Sequence, residues 1–185
     1  MSLTDLFKNN YVGINFIRYL LAILVILDHS YHMASFGNEP VLFSFGGKTA
    51  YGFFAVGAFF CISGFLITRT AIDSSPLNFI FNRFLRIWPA LFVLLILSSF
   101  VIAPILILHK GENILIYFMN FQSTGPWTYL FHNIFLPVEL QNSIQDIFST
   151  NPNGTIFNGS LWTLPLEIRA YFICFFLVIL GKKFG

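Results

Sequence analysis

Ile87-Trp-Pro-Ala-Leu-Phe-Val-Leu-Leu-Ile-Leu-Ser-Ser-Phe-Val-Ile-Ala-Pro-Ile-Leu-Ile-Leu108 runs for 22 residues without a charged side chain. A helix needs about 20 mostly apolar residues to cross the hydrocarbon of a bilayer, so this stretch reads as a membrane span. Two similar stretches flank it. Residues 51–68 hold no charge, and residues 161–180 are interrupted only by Glu167 and Arg169. A fourth span, over residues 12–30, is predicted despite Arg18, because an arginine near a helix end can snorkel to the interface. The expected fold class is therefore all-α, a polytopic integral membrane helical bundle with about four spanning helices.

Composition agrees with that reading. Of 185 residues, 56% are hydrophobic and 10% charged, with mean hydropathy +0.75. That is too apolar for a soluble domain. A net charge of +2 gives nucleic acid little to bind. Cys61 and Cys174 lie inside apolar stretches at a separation that carries no metal or redox spacing, and they read as buried free thiols. The apolar run 19–27 resembles the core of a signal peptide, but no A-x-A site follows it, so it reads as an uncleaved anchor.

The cations set a topology. Lys8, Arg18, Arg69, Arg83, Arg86, Lys182 and Lys183 fall on one side of the predicted spans, against Lys48 and Lys110 on the other. The positive-inside rule then places the N-terminus, the segment 69–86 and the C-terminus in the cytoplasm. Residues 110–160 are expected on the outer side. Their apolar first half, 114–138, is broken by Ser123-Thr124-Gly125-Pro126 and reads as a pair of interfacial or re-entrant helices, with a further crossing as the alternative.

Four groups of residues could carry chemistry. Arg18 and His29 are eleven positions apart, which puts both on nearly one helix face about 16 Å apart along the axis. They are either an anchor at each end of the helix or a cation and a general base. Asp28 points about 100° away from His29 on that helix, which disfavours an Asp–His dyad. Small residues at Gly57, Cys61 and Gly64 suit close helix packing. Arg83 and Arg86, at i,i+3, share a face if that segment is helical. They serve either topology or, as a fork, phosphate binding. Glu167 inside the last span is a functional candidate or a polar clamp to another helix, and Tyr171 shares its face.

Taken in order, these motifs are Arg18-x10-His29, Ile62-Ser63-Gly64-Phe65-Leu66-Ile67, Arg83-x-x-Arg86-Ile-Trp-Pro89 and Asn158-Gly-Ser-Leu-Trp-Thr-Leu-Pro-Leu-Glu167-x-x-x-Tyr171. Together they resemble the acyltransferase 3 family of bacterial membrane O-acyltransferases. The resemblance covers nearly the whole chain, yet it matches only the N-terminal part of a family fold that usually has about ten spanning helices. A truncated or fragmentary member is expected.

The resemblance implies transfer of an acyl group, often acetyl, from acyl-CoA to a hydroxyl of a cell-envelope polysaccharide or glycolipid. The protein would lie in the bacterial inner membrane, among its lipids, and no metal is implied. By motif match His29 and Arg18 carry over as the essential pair and Arg83 and Arg86 as the donor-binding arginine motif. Glu167 carries over as a third site residue. The rival readings are a transporter of a sugar or lipid-linked solute and an inactive truncated remnant.

Overall fold

A computed structural model describes residues 11–34, 51–150 and 154–184. Lys8 and Lys48, which enter the charge tally, lie outside the described residues, as do the side chains of His32, Lys182 and Lys183. Among the described residues every regular element is a helix. In order these are α1 (Tyr11–Ala34), α2 (Tyr51–Asp73), α3 (Pro76–Leu97), a π-helical turn (Ser98–Ile102), α4 (Ala103–His109), α5 (Ile114–Phe118), α6 (Pro126–Asn133), a 3-10 turn (Gly159–Trp162) and α7 (Thr163–Phe184). Four stretches are long and apolar enough to cross a membrane: Gly13–Ser30, Gly52–Asp73, Pro76–His109 and Gly159–Gly181.

The chain forms two compact units, Met1–Arg69 and Thr70–Gly185. In the first, the Asp28 side chain of α1 reaches the backbone of α2 at Gly52. A Cβ there would collide with the carboxylate, so any other residue would force the Asp28 side chain to move. A Cβ at Gly57 or Gly64 would meet nothing within 4 Å. The small-residue row therefore makes no tight helix contact among the described residues. Cys61 is a free thiol as expected, but it is exposed rather than buried.

In the second unit, α3 begins at Ser75-Pro76. The Ser75 side chain accepts from the Asn78 N–H, and Pro76 occupies the first turn, where its missing N–H costs nothing. Only Ser74 and Ser75 separate α2 from α3. Arg83 and Arg86 consequently sit within a helix, not in a connecting loop. The helical path continues through the π turn to His109, 34 residues in all. At 1.5 Å per residue it is about 51 Å long, well beyond the roughly 30 Å hydrocarbon thickness.

The π turn has a local cause. Pro104 has no N–H to donate, and the Ala103 N–H bonds to the Ser98 carbonyl, five residues back. A buried ridge, Ile87, Leu91, Leu95, Ser99, Ala103 and Ile107, recurs at every fourth residue of this helix. On a straight α-helix such a ridge drifts about 40° per step. The wider π turn absorbs part of that drift.

The chain then runs back along the helix it has just left. The Tyr117 hydroxyl donates to the Ser99 carbonyl at 2.6 Å. The Phe100 ring stacks on Phe118 at 6.2 Å and meets Trp127 edge-on at 4.9 Å. Further down, the Trp88 Nε1–H donates to the Ile134 carbonyl at 3.1 Å. Residue 134 has thus returned some 20 positions below the top of the long helix. The helices in this stretch, α5 and α6, have five and eight residues, so neither is a span.

Beyond a turn with Leu136 at φ 48°, the chain climbs again. Gln145 Nε2 donates to the Tyr117 carbonyl at 3.2 Å, and Lys110 Nζ donates to that of Ile147. The fully buried Asn133 amide stands in for a strand edge: it donates to the Gln141 carbonyl and accepts from its N–H, both at 2.9 Å. Tyr117 and Tyr129 are also buried here. Desolvation raises both phenols, that of Tyr129 to about 12.

Candidate functional site

The 3-10 turn that leads into α7 is capped by Asn158, whose side chain accepts from the Ser160 N–H at 3.1 Å. Pro165 follows in the first turn of α7, where a proline is tolerated. This start sets the register of α7 against α3. Glu167 lies beside Arg86, Tyr171 beside Arg83, and Phe175 stacks on Phe79 at 6.0 Å. Rising numbers on α7 meet falling numbers on α3, so the two helices run antiparallel.

Their shared face carries a polar group within an aromatic surround. Glu167 Oε1 accepts from the Tyr171 hydroxyl. The same oxygen lies 3.9 Å from Arg86 Nε, too far for a hydrogen bond. The Arg83 guanidinium sits 5.4 Å from the Tyr171 ring centre and 5.6 Å from that of Phe79, within range of a cation–π contact on both sides. Its Nε is buried without a hydrogen-bond partner. A cleft of about 130 Å³ opens here, lined by Phe79, Arg83, Phe84, Trp88, Tyr171 and Phe175 among others. Phe84 and Trp88 stack at 4.9 Å on one wall.

Two guanidiniums face one carboxylate, which leaves the group one positive charge in excess. The Arg86 side chain is 42% exposed. An ion pair that loose and that open to solvent contributes at most about 1 kcal/mol, so little holds Arg86 back from a stronger anion. The arrangement is suited to binding an anionic group beside an apolar or aromatic one.

The first unit carries the other candidates. Arg18 and His29 are both half-buried on α1. His29 Nδ1 lies 2.8 Å from the Val25 carbonyl. A carbonyl oxygen only accepts, so Nδ1 carries the proton and Nε2 of the neutral ring holds the free lone pair. The Asp28 carboxylate comes to 3.8 Å from Nδ1, closer than helix geometry alone suggests, but that N–H is already committed to Val25.

The structure brings Arg83, Arg86 and Glu167 together, while Arg18 and His29 form a separate pair along one helix. Phe79 was missed in the sequence, although its place one turn before Arg83 is a usable signal. Among the described residues no three His, Cys, Asp or Glu side chains converge as a metal site would require.

Comparison with known proteins adds a family. The acyltransferase domain family matches residues 11–185. A protein of Shigella phage Sf6 described as an O-acetyl transferase is 35% identical over 166 residues, covering 84% of this chain and 42% of the phage protein. Nodulation protein 10 of Rhizobium leguminosarum bv. viciae is 28% identical over 178 residues, covering 89% of this chain and 42% of that protein. The chain spans about two-fifths of the length of these curated relatives. No solved structure matches it.

Proposed function

The chain belongs to the acyltransferase 3 family, and from that premise we propose that it serves the transfer of an acyl group, acetyl in the first instance, from acyl-CoA to a hydroxyl of a cell-envelope polysaccharide or glycolipid. The observation that carries the donor half of this reading is the pair of guanidiniums beside an aromatic cleft, only one of whose charges is offset. CoA is a phosphate-rich molecule with an extended, largely uncharged arm. Arg83 and Arg86 would hold its phosphates, and guanidinium forks suit that group. Glu167 acts in this reading at the arginines, since its Oε1 accepts from Tyr171 and lies 3.9 Å from Arg86 Nε.

His29 is the general base. With Nδ1–H held by the Val25 carbonyl, Nε2 is the atom that removes the proton from the acceptor hydroxyl. The oxygen then attacks the thioester carbonyl. Collapse of the tetrahedral adduct breaks the C–S bond, and the proton passes from the imidazole to the departing thiolate. The products are an O-acyl ester and free CoA. Arg18, on nearly the same face of that helix and about 16 Å along its axis from His29, is the other member of the essential pair in this reading. The membrane is that of a bacterial cell, the inner one, with the N-terminus on the cytoplasmic side, where acyl-CoA is found.

Loss of the base tests this directly. In the intact protein His29→Ala should cut glycan-bound acyl groups, measured by mass analysis of surface polysaccharide, by about 100-fold or more. Acylation at the wild-type rate would overturn the assignment.

A further inference from the structure

We propose that Tyr171 is a positioning residue of the donor site, whose hydroxyl holds the Glu167 carboxylate off Arg86 so that this guanidinium stays available to an incoming phosphate. The proposal rests on the reading of Arg83 and Arg86 as the donor's anion site. Tyr171 is 6% exposed and touches both arms of the site. Its ring lies under the Arg83 guanidinium, and its hydroxyl bonds to the carboxylate that faces Arg86.

The geometry at Glu167 is unusual for a carboxylate beside an arginine. Such pairs close to fork-shaped contacts with N···O distances near 2.8 Å when nothing opposes them. Here the carboxylate stops at 3.9 Å, and the oxygen nearest Arg86 is the one that accepts from Tyr171. Tyr171 is one turn beyond Glu167 on α7, so its hydroxyl holds the acid along its own helix and not across to α3. Removing the hydroxyl frees Glu167 to swing over and close on Arg86. The closed pair would then compete with phosphate for the same guanidinium.

This account gives opposite signs to two neighbouring substitutions. Tyr171→Phe keeps the ring under Arg83 but releases the acid, so donor binding weakens. Glu167→Gln removes the competing anion, so donor binding holds or tightens. In the Glu167→Gln background the hydroxyl has nothing left to restrain, and Tyr171→Phe has no further effect. A purely structural role for Tyr171 predicts equal damage in both backgrounds.

The experiment is a titration of the full chain in lipid nanodiscs with acetyl-CoA, following the dissociation constant and the thermal midpoint together. Tyr171→Phe should raise Kd about tenfold with the midpoint unchanged, and the double variant should bind as Glu167→Gln does. Equal binding by wild type and Tyr171→Phe, or a tenfold loss that persists in the double variant, overturns the proposal. If wild type binds no acetyl-CoA, the donor reading itself falls and the proposal goes with it.

Discussion

The long helix from Pro76 to His109 has two halves that differ in what they pack against. Above about residue 91 its ridge of Leu95, Ser99, Ala103 and Ile107 is fully covered. The segment that returns alongside it bonds to its backbone at Ser99 through the Tyr117 hydroxyl and packs its rings on Phe100. Below residue 91 the same helix still meets that segment at Trp88, but it also faces α7 through two arginines, an acid and a tyrosine, next to an open cleft. The upper half is a scaffold with uncharged contacts. The lower half carries charge and space, the two things a ligand needs. Damage to one should therefore show up in stability, and damage to the other in ligand dependence.

The largest effect should come from Leu95→Ala, at a position with no exposed surface. Truncating a fully packed leucine costs about 2–5 kcal/mol, because the site collapses only in part. The thermal midpoint of the full chain in nanodiscs should fall markedly, while the acetyl-CoA concentration at half-saturation stays put for whatever protein remains folded. A shift in donor affinity as large as the shift in stability would erase the distinction between the halves.

A smaller loss is expected from Tyr117→Phe. In α-helical pairing the Ser99 carbonyl would accept from the Ala103 N–H, but that N–H goes to Ser98. In π pairing it would accept from residue 104, which is a proline. The Tyr117 hydroxyl supplies the missing donor at 2.6 Å. Removing it leaves a buried carbonyl unpaired, for a cost of about 1–3 kcal/mol. Chemical denaturation should show this, with donor binding unchanged. A neutral substitution would mean that another donor reaches Ser99.

These two halves were unequally legible in the sequence. The apolar runs located the spanning helices because length and lack of charge are local properties. The start of α3 was misplaced because Arg83 and Arg86 were read as flanking charges, whereas the Ser74-Ser75-Pro76 cap signal lies upstream of them. Glu167 and Tyr171 could be put on one face from their spacing alone. Their meeting with Arg86 and Arg83 could not, since an antiparallel register between two uniformly apolar helices leaves no periodic mark. The Trp88–Ile134 bond, 46 residues apart, was equally invisible: the break at Ser123-Thr124-Gly125-Pro126 pointed to interfacial or re-entrant helices but not to the helix they lie along.

The smallest expected effect on stability falls in the lower half, and its effect on the ligand is the one most specific to function. Arg86→Ala removes a side chain that is 42% exposed and whose ion pair with Glu167 is 3.9 Å long. Exposed pairs of that kind contribute at most about 1 kcal/mol, so the thermal midpoint should hardly move. A charge-assisted contact to phosphate is worth more than the pair it replaces, about 1.5–3 kcal/mol. The acyl-CoA concentration needed for half-maximal acylation in inverted vesicles should accordingly rise about tenfold or more. Arg83→Ala is a less clean probe, because that guanidinium also fills the space between Phe79 and Tyr171. An unchanged donor dependence in Arg86→Ala, with folding intact, would show that the charge between α3 and α7 is there to hold the helices together and not to hold a ligand.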